Sequence, residues 1–120
     1  MIAAALQPYA VALGIRLEND AILPCLVMPF QNTLTGRTGF IHGGAIAGLL
    51  TLVCDEAAGV GARPFSTSFQ FLRGAREQQL YAAATIAFGA RIATATATAW
   101  QTDRERPIAS VVRKYQLSRI

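Results

Sequence analysis

The residues best placed to do chemistry begin at His42, the one histidine of the chain, followed directly by Gly43 and Gly44. Two adjacent glycines leave their backbone N–H groups approachable. At the start of a helix such groups carry the positive end of the dipole and suit an anion or a developing oxyanion. The same glycines also let a chain turn tightly into a helix. Downstream stand Thr51 and Asp55. Asp55 has three readings: a solvated helix charge, a partner for an arginine across a dimer interface, or a carboxylate that activates water as a general base. Thr51, one turn nearer to Gly43, is either a packing residue or a hydroxyl that orients such a water.

Other chemistries fall away on residue count. One histidine cannot found a histidine-based metal cluster, and Cys25 and Cys54 lack metal-ligand spacing. A serine triad would need Ser66 or Ser68 to reach His42 as its base. The polar loop over residues 31–37 has no G-K-[ST] ending, so it is not a phosphate-binding loop of the nucleotide-hydrolase kind.

The element that must position these residues is a long helix from Gly43 to the closing Gly59. It holds no proline, and Ile46, Leu49, Leu50, Val53 and Ala57 recur at helical spacing on one apolar face. Gly48, Thr51 and Asp55 line the opposite face, small and polar, as suits a surface that meets another backbone or a ligand. Ahead of it, residues 2–13 read as a short amphipathic helix. Residues 15–18 and 22–30 read as two strands around Asn19 and Asp20, with Pro24 and Pro29 pushing the second toward an edge or a bulge.

After the helix, Phe65, Thr67, Phe69 and Phe71 alternate with Ser66, Ser68, Gln70 and Leu72, which predicts a strand with one aromatic face. Residues 80–88, 91–101 and 108–117 read as three more. The third strand of this series puts Thr94, Thr96, Thr98 and Trp100 on one face and Ala93, Ala95, Ala97 and Ala99 on the other. An alanine face admits a helix at short distance. The expected fold class is α+β, a meander of antiparallel strands with the long helix laid on one face.

At 120 residues the chain is read as a single domain over residues 1–120. With 52% apolar and 15% charged residues it is globular rather than disordered. The net charge of +4 and a pI near 9.7 favour anionic partners such as phosphorylated ligands. The cations do not cluster as a nucleic-acid footprint does; only Arg113 and Lys114 stand side by side. Reduced cysteines point to the cytoplasm, and the apolar start is too short to span a bilayer and lacks a basic region before it.

The order GFIHGG, long helix, FQFLRGA and an Arg91-led strand resembles the hotdog-fold thioesterases, most of all the PaaI-type branch associated with phenylacetate degradation. The resemblance covers residues 14–117. It implies an antiparallel sheet wrapped around the central helix, and a homodimer that pairs further into a tetramer. It also implies hydrolysis of an acyl-CoA thioester at the dimer interface without metal or cofactor, coenzyme A entering only as part of the substrate. By the family's pattern the Gly43 amide polarises the thioester carbonyl and His42 supports the loop. The family places a carboxylate nine residues after the histidine and a hydroxyl one turn later. Here those positions hold Thr51 and Asp55, the two types exchanged. The family's amide side chain, six residues before the histidine, is replaced by Gly36; Asn32, Gln31 or Arg37 would have to serve instead.

The expectation is therefore a cytoplasmic acyl-CoA thioesterase with Gly43, His42, Thr51 and Asp55 as its catalytic set. Gly44, Arg37, Asn32 and Arg73 line the substrate, and Arg63, Arg91 and Lys114 are further cations within reach of phosphates. No nucleic acid and no membrane is involved. The alternative is a non-catalytic hotdog protein that binds acyl-CoA or a partner chain, having lost the usual acid.

Overall fold

The computed structural model describes residues 14–17, 25–31, 35 and 39–118. The helix expected over residues 2–13 lies outside them. Among the described residues eight strands and one helix run in the order β1 (Arg16–Leu17), β2 (Cys25–Met28), β3 (Phe40–Ile41), α1 (Gly43–Ala58), β4 (Arg63–Phe71), β5 (Ala75–Arg76), β6 (Leu80–Phe88), β7 (Ile92–Trp100) and β8 (Ala109–Gln116). Six of the strands form one antiparallel sheet in the order β1-β2-β6-β7-β8-β4, and β3 pairs with β5 in a small second sheet.

The long helix falls where the apolar spacing predicts it. Gly59 stops it at a φ of 82°, a conformation that side chains disfavour, and its N–H caps the carbonyl of Asp55. The helix lies across β6, β7 and β8. Ala93, Ala95, Ala97 and Ala99 are all buried beneath it, while Thr94, Thr96 and Thr98 turn outward. Leu49, Leu50 and Val53 are fully buried in the same core as Leu26, Met28, Leu80, Val111 and Tyr115. Each such side chain contributes about 1.5–3 kcal/mol through the apolar surface taken from water.

Three expectations need correction. The strands after α1 are not one meander: β6, β7 and β8 are, but β4 crosses over and pairs with β8 at the sheet's margin. The second strand is not an edge. Among its described residues Cys25–Met28 are extended, between β1 and β6, and Pro29 comes just after them, where it interrupts no pairing; residues 22–24 lie outside the described residues. The aromatic face of β4 is also broken. Between Pro64 and Ser66 the register with β8 shifts, leaving Phe65 as an extra residue. A bulge of one residue reverses the alternation, so Phe65 turns to the outer face with Ile92 and Gln116. Phe69 and Phe71 remain on the helix side and stack with centroids 6.2 Å apart.

The small sheet was not expected, and it sets the approach to α1. Gln101, just past β7, accepts from Arg76 N–H at 2.9 Å and donates to the Arg76 carbonyl at 2.8 Å. Its amide thus acts as one more strand residue beside β5. Arg76 and Ala75 pair with Phe40 and Ile41, and His42 follows immediately.

Candidate functional site

His42 caps α1. Its backbone is extended, and its Nδ1 accepts from Ala45 N–H at 3.3 Å while its carbonyl accepts from the same group at 3.2 Å. Nδ1 is the acceptor, so the proton of the neutral ring sits on Nε2. Among the described residues nothing accepts from Gly43 N–H or Gly44 N–H, and both glycines are exposed. A helix start with two open amides, held by one ring, results.

The two glycines differ in what surrounds them. A Cβ on Gly43 would meet the Phe71 ring at 3.6 Å, an ordinary contact. A Cβ on Gly44 would come within 3.2 Å of the His42 ring and press on the cap. Gly43 therefore opens toward the end of β4, and Gly44 is small so that the histidine can fold back.

Thr51 is half-buried, and Asp55 follows it one turn on. The Asp55 carboxylate is not a free helix charge. Its Oδ1 accepts from Arg113 Nε at 2.9 Å and from the Tyr115 hydroxyl, both on β8. Arg113 also donates through Nη1 to Thr67 Oγ1 on β4 at 2.7 Å. One carboxylate thus ties the last turn of α1 to β8 and, through Arg113, to β4. The ion pair is mostly buried, with 15% and 17% of the two side chains exposed. Burial, then the hydrogen bond to Asp55 and its charge, push the Tyr115 hydroxyl well above its ordinary value of 10.0. Burial first, then the Asp55 charge, push the adjacent Cys54 thiol up to about 12.

Of the other expected residues, Arg73 donates from Nη1 to the Pro107 carbonyl at 2.9 Å, beside the end of β4. Asn32 and Arg37 lie outside the described residues. Ser66 and Ser68 pair with the exposed Lys114 and Val112, on the face away from α1, so neither approaches His42. Cys25 and Cys54 are buried and no disulfide joins them. Among the described residues no three metal-ligating side chains converge, and no helix is long and apolar enough to cross a membrane.

Sequence reasoning passed over Tyr115, Thr67 and the partnership of Arg113. The signal was present: Val111, Arg113 and Tyr115 recur every second residue, so an arginine sits on the face that two buried residues mark as inward. An arginine so placed needs a carboxylate across from it.

No protein-family model and no curated protein matches the sequence. Solved structures do match, along nearly the whole chain. A thioesterase family protein from Silicibacter pomeroyi is 28% identical, covers 94% of this chain and 91% of its own, and superposes with a TM-score of 0.78. A thioesterase from Haemophilus influenzae, 17% identical, covers 90% of this chain and 80% of its own with a TM-score of 0.79. A phenylacetic acid degradation-related protein from Ralstonia eutropha, 14% identical, covers 92% and 89% with a TM-score of 0.77. The long helix on a six-stranded antiparallel sheet is the hotdog fold of these thioesterase-superfamily structures.

Proposed function

We propose that the chain hydrolyses the thioester of an acyl-CoA, at a site completed by a second copy of itself. The observation that carries this reading is the pair of open amides at Gly43 and Gly44, held in place by the His42 cap. Negative charge developing on a thioester oxygen is stabilised by the Gly43 N–H together with the positive end of the helix. Gly44 supplies the second open amide for the substrate.

Asp55 follows Gly43 by twelve residues, about 18 Å along a helix rising 1.5 Å per residue. Thr51 is about 12 Å away by the same rise. A general base works within one hydrogen bond or one bridging water, so neither serves Gly43 of its own chain. The carboxylate comes from a second copy. Among the described residues the edge of β4 beyond its pairing with β8 is open in the sheet order, and Phe71 and Leu72 at its end are half exposed. Two such edges pairing antiparallel about a two-fold axis bring the start of one α1 beside the far half of the other. The same logic supports a homodimer, with pairing of dimers into a tetramer as a second level.

In this arrangement Asp55 is aimed by Arg113 and Tyr115 on Oδ1, and no described donor occupies Oδ2. A water on Oδ2 gives up its proton to the carboxylate and attacks the thioester carbon, and the oxyanion forms at Gly43 N–H. Collapse breaks the C–S bond, and the proton passes from Asp55 to the leaving thiolate, releasing the acid and coenzyme A. Thr51 orients the water. Arg73, next to the end of β4, and Asn32 and Arg37 complete the substrate contacts. Two buried cysteines not joined in a disulfide support a reducing compartment such as the cytoplasm.

A second reading has one observation in its favour. Asp55 already has two partners, and Thr51 stands where the resemblance puts the acid. On that reading the chain binds acyl-CoA without turnover. A thiol-release assay over an acyl-CoA panel, with direct binding in parallel, decides between them. Turnover that falls at least a hundredfold in Asp55→Asn, with binding kept, supports hydrolysis. Binding with no turnover in the parent sinks it.

A further inference from the structure

Two arginines that the site above does not use share a cleft on the opposite face of the sheet. Arg63 opens β4, Arg91 precedes β7, Gln116 closes β8 and Ser118 lies two residues beyond it. Together they line a cleft of about 400 Å³. A second cleft of about 310 Å³ adjoins it, sharing Arg91 and Gln116 and adding Phe65 and Ile92. The register explains the convergence. Arg63 and Ile92 both pair with Gln116, from opposite sides, so the three stand in a row across neighbouring strands. Strands lie about 4.8 Å apart, which puts side chains rooted at Arg63 and Arg91 on either side of Gln116 within one cleft.

Neither guanidinium makes an ion pair or hydrogen bond to a described residue, although the Arg91 carbonyl accepts from Leu117 N–H at 2.8 Å. That distinguishes them from Arg113, paired with Asp55, and Arg73, fixed on Pro107. Among the described residues no carboxylate stands between the two guanidinium forks, so they present a doubly positive seat, and such forks match the oxygens of a phosphate. Ser118 gives its hydroxyl hydrogen to Gly61 and keeps oxygen lone pairs, while the Gln116 amide offers donors.

The apolar wall is a product of the bulge. Without the extra residue between Pro64 and Ser66, Phe65 would face α1 with Phe69 and Phe71. With it, a phenyl ring 56% exposed stands beside Ile92, 48% exposed, at the rim of the cationic seat. Bulges that re-aim a side chain are concentrated near binding sites.

The geometry points to a binding site for a phosphate ester carrying a planar or apolar group, with the phosphate on Arg63 and Arg91 and the ring against Phe65 and Ile92. This chemistry has two sources: a free nucleotide, or the nucleotide end of a coenzyme A thioester. In one chain the cleft lies at the far end of β4 from Phe71, about 26 Å along the strand. In the two-fold pairing proposed above, the cleft of a second copy comes to the Phe71 end.

Calorimetric titration of the full chain with AMP and with inorganic pyrophosphate tests the site whether or not the chain hydrolyses thioesters. Both probes saturate, and Arg63→Glu or Arg91→Glu weakens each about tenfold or more, as loss of a charged hydrogen bond implies. Arg16→Glu, on the far edge strand, removes the same charge and leaves both affinities unchanged. Phe65→Ala weakens AMP several-fold and leaves pyrophosphate alone. Arg91→Gln, which keeps the polar surface, confirms any loss in a variant whose circular dichroism matches the parent. No saturable binding, or binding that Arg16→Glu weakens as much as Arg63→Glu, overturns the site. The source is then read from kinetics. A raised KM in Arg63→Glu for an acyl-CoA, but not for the same acyl group on N-acetylcysteamine, assigns the site to coenzyme A. Unchanged KM for both assigns it to a free nucleotide.

Discussion

Arg113 Nε donates to Asp55 Oδ1 at 2.9 Å, joining β8 to the last turn of α1 across 58 positions of sequence. The carboxylate that the helix pattern offers to solvent is held by the sheet. A variant at Asp55 therefore disturbs folding and chemistry together unless it keeps the acceptor oxygen, which is why Asn rather than Ala is informative there.

Tyr115→Phe separates the two effects. It removes one donor to Asp55 and leaves the ring packed, so stability falls by about 1–2 kcal/mol, the usual size for such a bond. The carboxylate keeps Arg113 but loses its second anchor. A urea midpoint lowered with the same slope, together with reduced turnover, is the expected result. Unchanged turnover would detach Tyr115 from the aiming of Asp55.

Thr51→Asp, with Asp55 left in place, adds a carboxylate one turn nearer to Gly43 without disturbing Arg113 or Tyr115. Under the proposed mechanism it lowers acyl-CoA hydrolysis, because the hydroxyl that orients the water is gone and a second negative charge stands beside Asp55. The thiol-release assay measures it directly. A rise of tenfold or more would overturn Asp55 as the working base and place the acid at position 51, where the resemblance puts it.

Gly43 and Gly44 make an internal control. Gly43→Ala has room beside Phe71 and keeps its N–H, so thermal stability holds and turnover falls only as far as the methyl group obstructs that donor. Gly44→Ala presses on the His42 ring and lowers the melting temperature as well. The bulkier Gly43→Val closes the approach to the amide and costs up to about 2.7–4 kcal/mol of transition-state stabilisation; full turnover in a folded Gly43→Val would remove that amide from the mechanism.

Alkaline pH tests the buried protons. Cys54 and Tyr115 are neutral when protonated, and both have folded values raised above their ordinary ones. The stability tied to each is fully present below the unfolded value and is lost as pH rises through the folded one. For Cys54 that window runs from 9.0 to about 12. Urea midpoints should hold to pH 8.5 and fall steadily above 9, with Cys54 unreactive to thiol reagents in the folded chain at pH 8. Prompt labelling at pH 8 would contradict the burial.

Assembly is checked by light scattering at micromolar concentration. A dimer mass is expected, and a return of only 12.8 kDa would sink both the β4 pairing and the shared site.

Much of this architecture was legible in sequence where a period could run. Helical spacing located α1 to within a residue, and alternation found β6, β7 and β8, because those elements are long enough for a pattern to repeat. It failed where one residue changes the count. Phe65 sits at a bulge, and a period of two carries no warning of an insertion. β3 and β5 have two residues each and cannot show a period at all; β5 is also held from its other side by Gln101, a side chain from elsewhere. The crossover of β4 to β8 is likewise a matter of topology. The site divided in the same way: His42 and the two glycines were visible as neighbours, while Arg113 and Tyr115 meet Asp55 only in three dimensions.

The alanine ladder of β7 carries a consequence for how this chain tolerates change. A helix seated on four methyl groups leaves no slack above them, so enlargement at Ala93, Ala95, Ala97 or Ala99 lifts α1 and with it the far end that presents Gly43. The threonines between them look outward and are spared that constraint. A saturation scan of β7 should thus read as a comb, intolerant and permissive at alternate positions. The teeth would measure how rigidly the sheet sets the height of a site that none of those alanines touches.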